Sequence, residues 1–306
     1  MFSKNLLRTP SQIFGMRAKG GTFGVEIELE SSGAFPEDTI SGWVVHREGS
    51  LRGNGREYVS SQPYSFKEIR ANLERLETCL KNARTPITES YRTSTHIHFN
   101  SMNLTFLEIL GMMVTFATIE PVMLAAVGGN RDGNLFCLPN YDTGDIHQHV
   151  HSLINFIHQP DARPYPQRGK YASLNTDPLN RFGSIEYRIF PSTIIPGQIL
   201  RWCRWIQNIS DLSKEHAKPG TTFADIIKLA KSDENRFAYS LLTGVSDLQK
   251  SVEPALISDL ICLGCEQAYE ITRLLKETYA KEERKIERDK VKKTFSEVTF
   301  AEENPF

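Results

Sequence analysis

Apolar and polar residues alternate along several short stretches of the chain, and this two-residue period predicts β-strands. The clearest stretch is residues 22–31, where apolar side chains point one way and carboxylates point the other. Its carboxylates are Glu26, Glu28 and Glu30. Further strands are predicted at residues 43–46, 57–60, 96–100, 171–175 and 185–190.

A spacing of three to four residues between apolar positions predicts helices elsewhere. Two of these helices begin with a capping box, Ser65 with Glu68 and Thr105 with Glu108. The second helix is strongly apolar up to residue 127, but Glu108 and Glu120 leave too short an uncharged run to cross a membrane. We therefore expect a buried helix and no membrane partner. The helices are predicted at residues 65–84, 105–127, 145–158, 197–217, 222–232 and 257–293.

Strands and helices do not alternate strictly, which favours an α+β fold with a mostly antiparallel sheet and flanking helices. The first residues carry four basic side chains and no long apolar run, so we expect a flexible arm over residues 1–21. A main domain is expected over residues 22–217. The helical C-terminal region, residues 218–306, is expected to pack on the same domain.

Charge and cysteine content exclude some classes of protein. The 306 residues contain 36 Lys and Arg against 37 Asp and Glu, so no excess of cations is available for general nucleic-acid binding. Five cysteines, an odd number, do not indicate a disulfide framework, and we expect a cytoplasmic protein. The sequence also lacks the phosphate loop of common ATPases, the nucleophile elbow of hydrolases and the dinucleotide fingerprint.

Charged side chains recur at two-residue spacing on three predicted strands. Each pair alone is typical of a solvated sheet face. If the pairs share one face, their carboxylates converge, and two carboxylates ~4 Å apart repel by about 4 kcal/mol at an effective dielectric of 20. Such a cluster is stable only when it is protonated, paired or bound to a metal such as Mg²⁺ or Mn²⁺. The pairs are Glu26 with Glu28, His96 with His98, and Glu186 with Arg188, and Glu57 adds a carboxylate.

Two arginines complete this hypothesis. A metal bound by the carboxylates would leave Arg131 and Arg188 without an ionic partner. Each guanidinium could then bind phosphate oxygens bidentately.

Five short motifs resemble those of the amidoligases and occur in the same order as in that family. This family is the phage and bacterial branch of the carboxylate–amine ligases, which include glutamine synthetase and glutamate–cysteine ligase. The resemblance spans about residues 22–205. The motifs lie at residues 23–29, 48–51, 55–60, 95–100 and 185–190.

The resemblance implies a curved antiparallel sheet of the glutamine synthetase type, which binds ATP and two Mg²⁺ or Mn²⁺ ions within a ligase catalytic domain at residues 22–217. Glu28 and Glu57 resemble ligands of the metal nearer the acyl substrate. The ligands of the metal on the ATP phosphates would be Glu26, His96 and Glu186. The groups similar to the family's phosphate-contacting residues are His98, Arg131 and Arg188.

One catalytic candidate departs from the family pattern. Glu48 stands where the family usually has an aspartate before Gly-Ser, and it keeps the carboxylate. Together with Arg131 and Arg188, it completes the catalytic residues that the resemblance implies.

The implied reaction joins a small-molecule or peptide carboxylate to an amine donor through an acyl phosphate. Two alternatives stay open at this point. The same carboxylates and histidines could activate water in a metal-dependent hydrolase. The chain could also be a non-catalytic scaffold that keeps a ligase fold. For the ligase and for both alternatives, a homo-oligomer could form through the C-terminal helix.

Two further patterns suggest metal sites but are better explained by packing. His147, His149 and His151 lie on a predicted amphipathic helix, where His147 and His151 share with His158 a stripe that borders the apolar face. Cys262 and Cys265 form a lone Cys-x-x-Cys pair, whereas a zinc site needs about four ligands.

Overall fold

A computed structural model describes residues 2–17, 20–36, 39–88, 90–128, 131, 134–140, 145–162, 171–242 and 251–303. Seven strands and ten helices lie within these residues. The strands are β1 Phe23–Ser31, β2 Trp43–Arg47, β3 Arg56–Ser60, β4 Ile87–Thr88, β5 Ser94–Asn100, β6 Leu174–Asn175 and β7 Ser184–Pro191. The helices are α1 Phe2–Leu6, α2 Pro10–Phe14, α3 Phe66–Asn82, α4 Phe106–Val127, α5 Asp145–His158, α6 Leu179–Phe182, α7 Pro196–His216, α8 Ala224–Ser232, α9 Glu234–Leu242 and α10 Pro254–Glu303.

The strands form one open sheet in the order β2-β3-β1-β5-β7-β6, and β4 pairs with the end of β1. All of these strand pairs are antiparallel. The α+β class and the mostly antiparallel sheet predicted from the sequence are therefore confirmed.

One face of the sheet forms the hydrophobic core. Alternate residues of the central strands, such as Ile27, Ile97 and Tyr187, are fully buried on this face. Helices α3, α4 and α7 contact β1, β7 and β5, respectively. The polar residues of the same strands are thereby left on the opposite face.

Helix α4 is the core helix that the sequence predicts. Among the described residues it alone is long and apolar enough to cross a membrane, but 89% of its most apolar window is buried inside the protein. Its interrupting Glu120 has a structural function, because Oε1 accepts hydrogen bonds from the backbone N–H and Nδ2 of Asn140 at 2.9 and 3.1 Å. This carboxylate therefore holds Asn140 against α4.

The N-terminal residues differ from the expected flexible arm. Residues 2–6 and 10–14 form helices, and the ring of Phe2 is buried in a stack on His158, with centroids 4.7 Å apart. Thr9 and Gln12 form a complete capping box at α2. Helices of five residues are too short to show an apolar period, which explains why the sequence pattern misses them.

The C-terminal region is helical as expected, with two differences. Helix α9 was not predicted, and α10 runs from Pro254 to Glu303, beyond both ends of the predicted helix. Helix α10 packs closely on α4, since a Cβ atom at Gly264 would lie 2.2 Å from the carbonyl oxygen of Thr118. Three prolines within residues 159–169 predict a loop, but most of these residues lie outside the described ranges. The domain boundary near residue 217 stays a prediction.

Candidate active site

The register of the sheet brings the predicted charged pairs together. Facing residues of neighbouring antiparallel strands project from the same side of a sheet. Three such facing pairs carry the predicted site residues: Glu26 with His96, Glu28 with Glu57, and His98 with Glu186. These residues, together with Arg188 and Glu48, line a cavity of about 520 Å³, which we call the carboxylate cavity.

The first possible metal group on this face consists of Glu26, His96 and Glu186. His96 Nδ1 lies 3.3 Å from Glu26 Oε2 and 3.3 Å from Glu186 Oε1. One ligand atom from each of the three residues lies within 4.8 Å of the others. The structure thus assembles the three residues that the resemblance implies for the metal on ATP.

The second group consists of Glu28 and Glu57, again with His96. Ser94 orients this group, because its backbone N–H donates to Glu28 Oε2 at 3.0 Å and its hydroxyl donates to the same oxygen. The Ser94 hydroxyl also lies 2.6 Å from His96 Nε2. The two groups are therefore adjacent and share one imidazole.

Three supporting residues were not predicted from the sequence. Besides Ser94, Asn175 Nδ2 donates to Glu186 Oε2 at 2.7 Å, and the Ser184 hydroxyl lies 3.1 Å from His98 Nδ1. Ser94 and Ser184 stand two positions before a site residue on the same strand, so the two-residue period could have identified both. Asn175 could not have been found in this way, because its approach to Glu186 depends on how β6 pairs with β7.

Two arginines line the carboxylate cavity with buried donor atoms. Arg188 Nη1 donates to Glu186, whereas Arg188 Nε is buried and has no hydrogen-bond partner among the described residues. Arg92, absent from the sequence prediction, donates through Nη1 to the carbonyl of Ser50 at 3.0 Å and stacks over the ring of Phe136. Its Nε is likewise buried without a partner in the described part of the chain.

Arg131 is buried behind the backbone of β7. Its Nε and Nη2 donate to the backbone carbonyls of Ile189 and Arg188, at 3.3 and 2.6 Å. Its side chain lines a neighbouring cavity, and it is not among the residues lining the carboxylate cavity. In this position Arg131 holds the backbone that carries Arg188, and its expected contact with phosphate stays a prediction.

Glu48 lies at the rim of the carboxylate cavity. Its Oε1 accepts hydrogen bonds from the backbone N–H and hydroxyl of Ser50, at 3.2 and 2.9 Å. The carboxylate that replaces the family's aspartate is therefore held in place near Glu57. Its catalytic role stays a prediction.

The electrostatics of the site indicate uncompensated negative charge. Burial and the neighbouring carboxylates Glu26, Glu28, Glu48 and Glu186 raise the pKa of Glu57 to about 8. Burial alone would lower the pKa of His98, but the charges of Glu26 and Glu186 outweigh it and raise that pKa to about 9. Burial would also raise the pKa of Glu26, yet His98 and His96 hold it well below its usual range.

These observations test whether the residues fit a metal. Hard carboxylate oxygens with one imidazole are a donor set for Mg²⁺ or Mn²⁺, and burial together with four neighbouring carboxylates raises the pKa of Glu57. A divalent cation would supply the missing positive charge. The donor set and its electrostatics therefore fit the metal that the resemblance implies.

The remaining histidine and cysteine patterns lie away from these groups. Among the described residues, the groups that could hold a metal are the two on the sheet, and the α5 histidines belong to neither. His149 is buried, while His151 Nδ1 lies 3.0 Å from Asn155 Nδ2 of the same helix. Cys262 is exposed, Cys265 is buried, and both are free thiols.

Comparison with known families agrees with the fold and the site. An open antiparallel sheet with a carboxylate and imidazole cluster on one face is compatible with a metal-dependent enzyme. The family model described as "Putative amidoligase enzyme" matches residues 55–210, just over half of the 306-residue chain. The chain therefore belongs to this amidoligase family, as its motifs predicted. No curated protein matches the chain significantly.

Proposed function

We propose that this protein is an ATP-dependent carboxylate–amine ligase that forms an amide bond through an acyl phosphate. The observation that carries the proposal is the pair of adjacent carboxylate groups that share His96 on one sheet face. Membership of the amidoligase family supports the ligase class.

The two groups have distinct roles in this proposal. Glu26, His96 and Glu186 would hold one divalent cation beside the nucleotide phosphates. Glu28 and Glu57 would hold the other beside the acyl substrate. When bound, the two cations neutralise the charge that develops on the transferred phosphoryl group.

The protein's own cations act at the same place. Arg188 and Arg92 each keep a buried Nε donor without a protein partner among the described residues, and both side chains line the carboxylate cavity. Glu186 holds one end of Arg188, and Arg131 holds its backbone. Because these donors are fixed before the substrate arrives, little reorganisation is needed when charge develops on phosphoryl oxygens.

The reaction proceeds in two transfers. A carboxylate oxygen of the acyl substrate attacks the γ-phosphorus of ATP, and the bond to the β–γ bridging oxygen breaks, so ADP leaves with the bonding pair. The neutral amine then attacks the acyl carbon, and the carbon–oxygen bond to phosphate breaks. Of the two protons that the ammonium form loses, one goes to solvent before the attack and the other goes to the departing phosphate.

The test is ADP release measured across a panel of carboxylates and amines with Mg²⁺, together with calorimetric titration of Mg²⁺-ATP. We expect Mg²⁺-ATP to bind, and ADP release to require both a carboxylate and an amine. Glu74→Gln serves as the control variant, because Glu74 is an exposed carboxylate on α3.

Two results would overturn the proposal. Hydrolysis of an amide or ester without nucleotide would identify a metal-dependent hydrolase. A folded protein that binds no Mg²⁺-nucleotide would be a scaffold with a ligase fold.

A further inference from the structure

A second cavity of about 780 Å³ lies at the C-terminal end of β1, where Glu30 and Ser31 line it, and we call it the Glu30 cavity. Glu26, Glu28 and Glu30 project from the same face of β1 at two-residue steps, which separates neighbouring carboxylates in this row by roughly 7 Å. Glu26 and Glu28 line the carboxylate cavity, whereas Glu30 lines the second cavity. The Glu30 cavity therefore begins one step beyond the carboxylate expected beside the acyl substrate.

Hydrogen bonds to backbone carbonyls also link the residues of the two cavities. The Ser192 hydroxyl, which lines the Glu30 cavity, donates to the carbonyl oxygen of Glu28. Arg131 lines the same cavity and donates to the carbonyl of Arg188 in the neighbouring one. Two residues of the Glu30 cavity are therefore hydrogen-bonded to the backbone of residues that line the carboxylate cavity.

The Glu30 cavity contains one buried group of each charge. Glu30 is only 5% exposed, and Oε1 accepts a hydrogen bond from the backbone N–H of Arg52 at 2.7 Å. Arg131 is only 2% exposed, and its Nη1 has no hydrogen-bond partner among the described residues. Neither side chain forms an ion pair within the described part of the chain. Buried charges of this kind are strongly stabilised by an opposite charge, which a ligand can supply.

The rest of the lining indicates the size and polarity of that ligand. Apolar side chains such as Ile87 and Ile195 contribute part of the surface. Half of the eighteen lining residues carry a hydroxyl or amide group, among them Ser90, Thr93, Thr193 and Gln198. Such groups both donate and accept hydrogen bonds, so they suit a small polar molecule better than a lipid chain. One buried anion and one buried cation in the same cavity match a zwitterion.

We propose that the Glu30 cavity binds a free α-amino acid as the amine substrate, with its ammonium group on Glu30 and its carboxylate on Arg131. Glu30 continues the row of carboxylates from Glu28, so the amino group lies at the acyl side of the cavity, where the amide bond must form. The assignment as amine donor rests on the proposed ligase function, whereas the binding site itself rests on the cavity.

The experiment is isothermal titration of the full chain with each of the twenty common amino acids, without nucleotide. The best ligand is then compared with its N-acetyl derivative and its decarboxylated amine. We expect one or a few amino acids to bind, and both derivatives to bind at least 10-fold more weakly, because each lacks one of the two charges.

Variants assign the two charges to their residues. Glu30→Gln should weaken amino-acid binding by roughly 10- to 100-fold, the loss typical of a hydrogen bond to a charged group. Glu30→Asp keeps the charge and should retain part of the affinity. Arg131→Lys should reduce the preference for the amino acid over its decarboxylated amine. Glu74→Gln, with its exposed carboxylate, should bind like the unmodified protein.

The outcomes separate this inference from the proposed function. Failure of every amino acid to bind, or unchanged binding by folded Glu30→Gln, would overturn the inference. Equal binding of the decarboxylated amine would overturn the zwitterion assignment. Titration of Mg²⁺-ATP in the same protein tests the ligase proposal separately, because that proposal fails if the nucleotide does not bind, whether or not an amino acid does.

Discussion

The two faces of the sheet are built from the same strands but serve opposite purposes. Ile97 and His98 are neighbours on β5, yet Ile97 is fully buried in the core and His98 lies 3.0 Å from Glu26 in the carboxylate cavity. Full burial of an aliphatic side chain contributes about 1.5–3 kcal/mol to folding. On the other face, burial and the neighbouring carboxylates raise the pKa of Glu57, so its ionised form opposes folding. The core face thus stabilises a backbone that holds an electrostatically unfavourable site in place.

The largest effect is expected at the polar face, from Glu186→Gln. A neutral amide is a poorer metal ligand, and the remaining carboxylates would still repel one another. We expect metal affinity to fall by on the order of 100-fold or more, together with Mg²⁺-ATP affinity. Calorimetry on the folded variant checks this result, with Glu74→Gln as the matched control. Normal Mg²⁺-ATP binding by Glu186→Gln would show that this carboxylate is not a ligand.

On the same polar face, Arg188→Lys should lower turnover while leaving ATP binding almost unchanged. A lysine retains the charge but not the planar fork of donors, so ground-state ATP affinity should change little. Turnover should fall by ~100- to 1000-fold, as when one preorganised contact to the transition state is removed. Steady-state ADP release with the true substrates measures both quantities. Near-normal turnover would place Arg188 outside the phosphoryl-transfer step.

On the core face, Ile97→Ala should act in the opposite way. Removing a fully buried isoleucine leaves a cavity, and the free energy of unfolding should fall by about 2–5 kcal/mol. Metal affinity of the folded fraction should be almost unchanged. Urea unfolding measures the first quantity, with half-exposed Val44→Ala on β2 as control. A large loss of metal affinity at low urea would show that the two faces are not independent.

The pH dependence of stability offers a smaller effect. The pKa of Glu57 is raised to about 8 in the folded protein, so folding favours its protonated form. This contribution is complete below the unfolded pKa of about 4.3 and is lost as pH rises through 8. Because this group is only half-buried, solvent screening makes the effect on stability smaller than the full pKa shift would give. The melting temperature of metal-free protein should therefore fall between pH 5 and 8.5, and Glu57→Gln should flatten that decline. An equally steep decline in the variant would assign the effect to other groups.

The smallest effect is expected from α5, away from both faces. Replacing His147, His149 and His151 together with glutamine should leave the bound metal content unchanged, since none of them belongs to a group that could hold a metal among the described residues. Metal analysis of the purified variant, with circular dichroism to establish folding, provides the measurement. Loss of metal from the folded variant would contradict this interpretation.

The sequence predicted those parts of the site that depend on a two-residue period. Once a strand is identified, alternation alone assigns Glu26, Glu28 and Glu186 to a face. Positions that depend on how distant segments meet could not be predicted in this way. Arg92 reaches the cavity from a turn before β5, and Arg131 lies behind Arg188 rather than beside the carboxylates. Helices α1 and α2 were missed because five residues contain less than two helical turns.

The close contact between Gly264 of α10 and Thr118 of α4 affects where the chain can be truncated. The family match ends at residue 210, yet α10 buries a row of side chains near α4 that includes Ile261, Cys265 and Ala268. A fragment ending near residue 217 would keep every residue of the carboxylate cavity but expose the apolar surface of α4 to water. Exposed apolar surfaces of this size promote aggregation. We therefore expect a fragment that ends near residue 217 to aggregate.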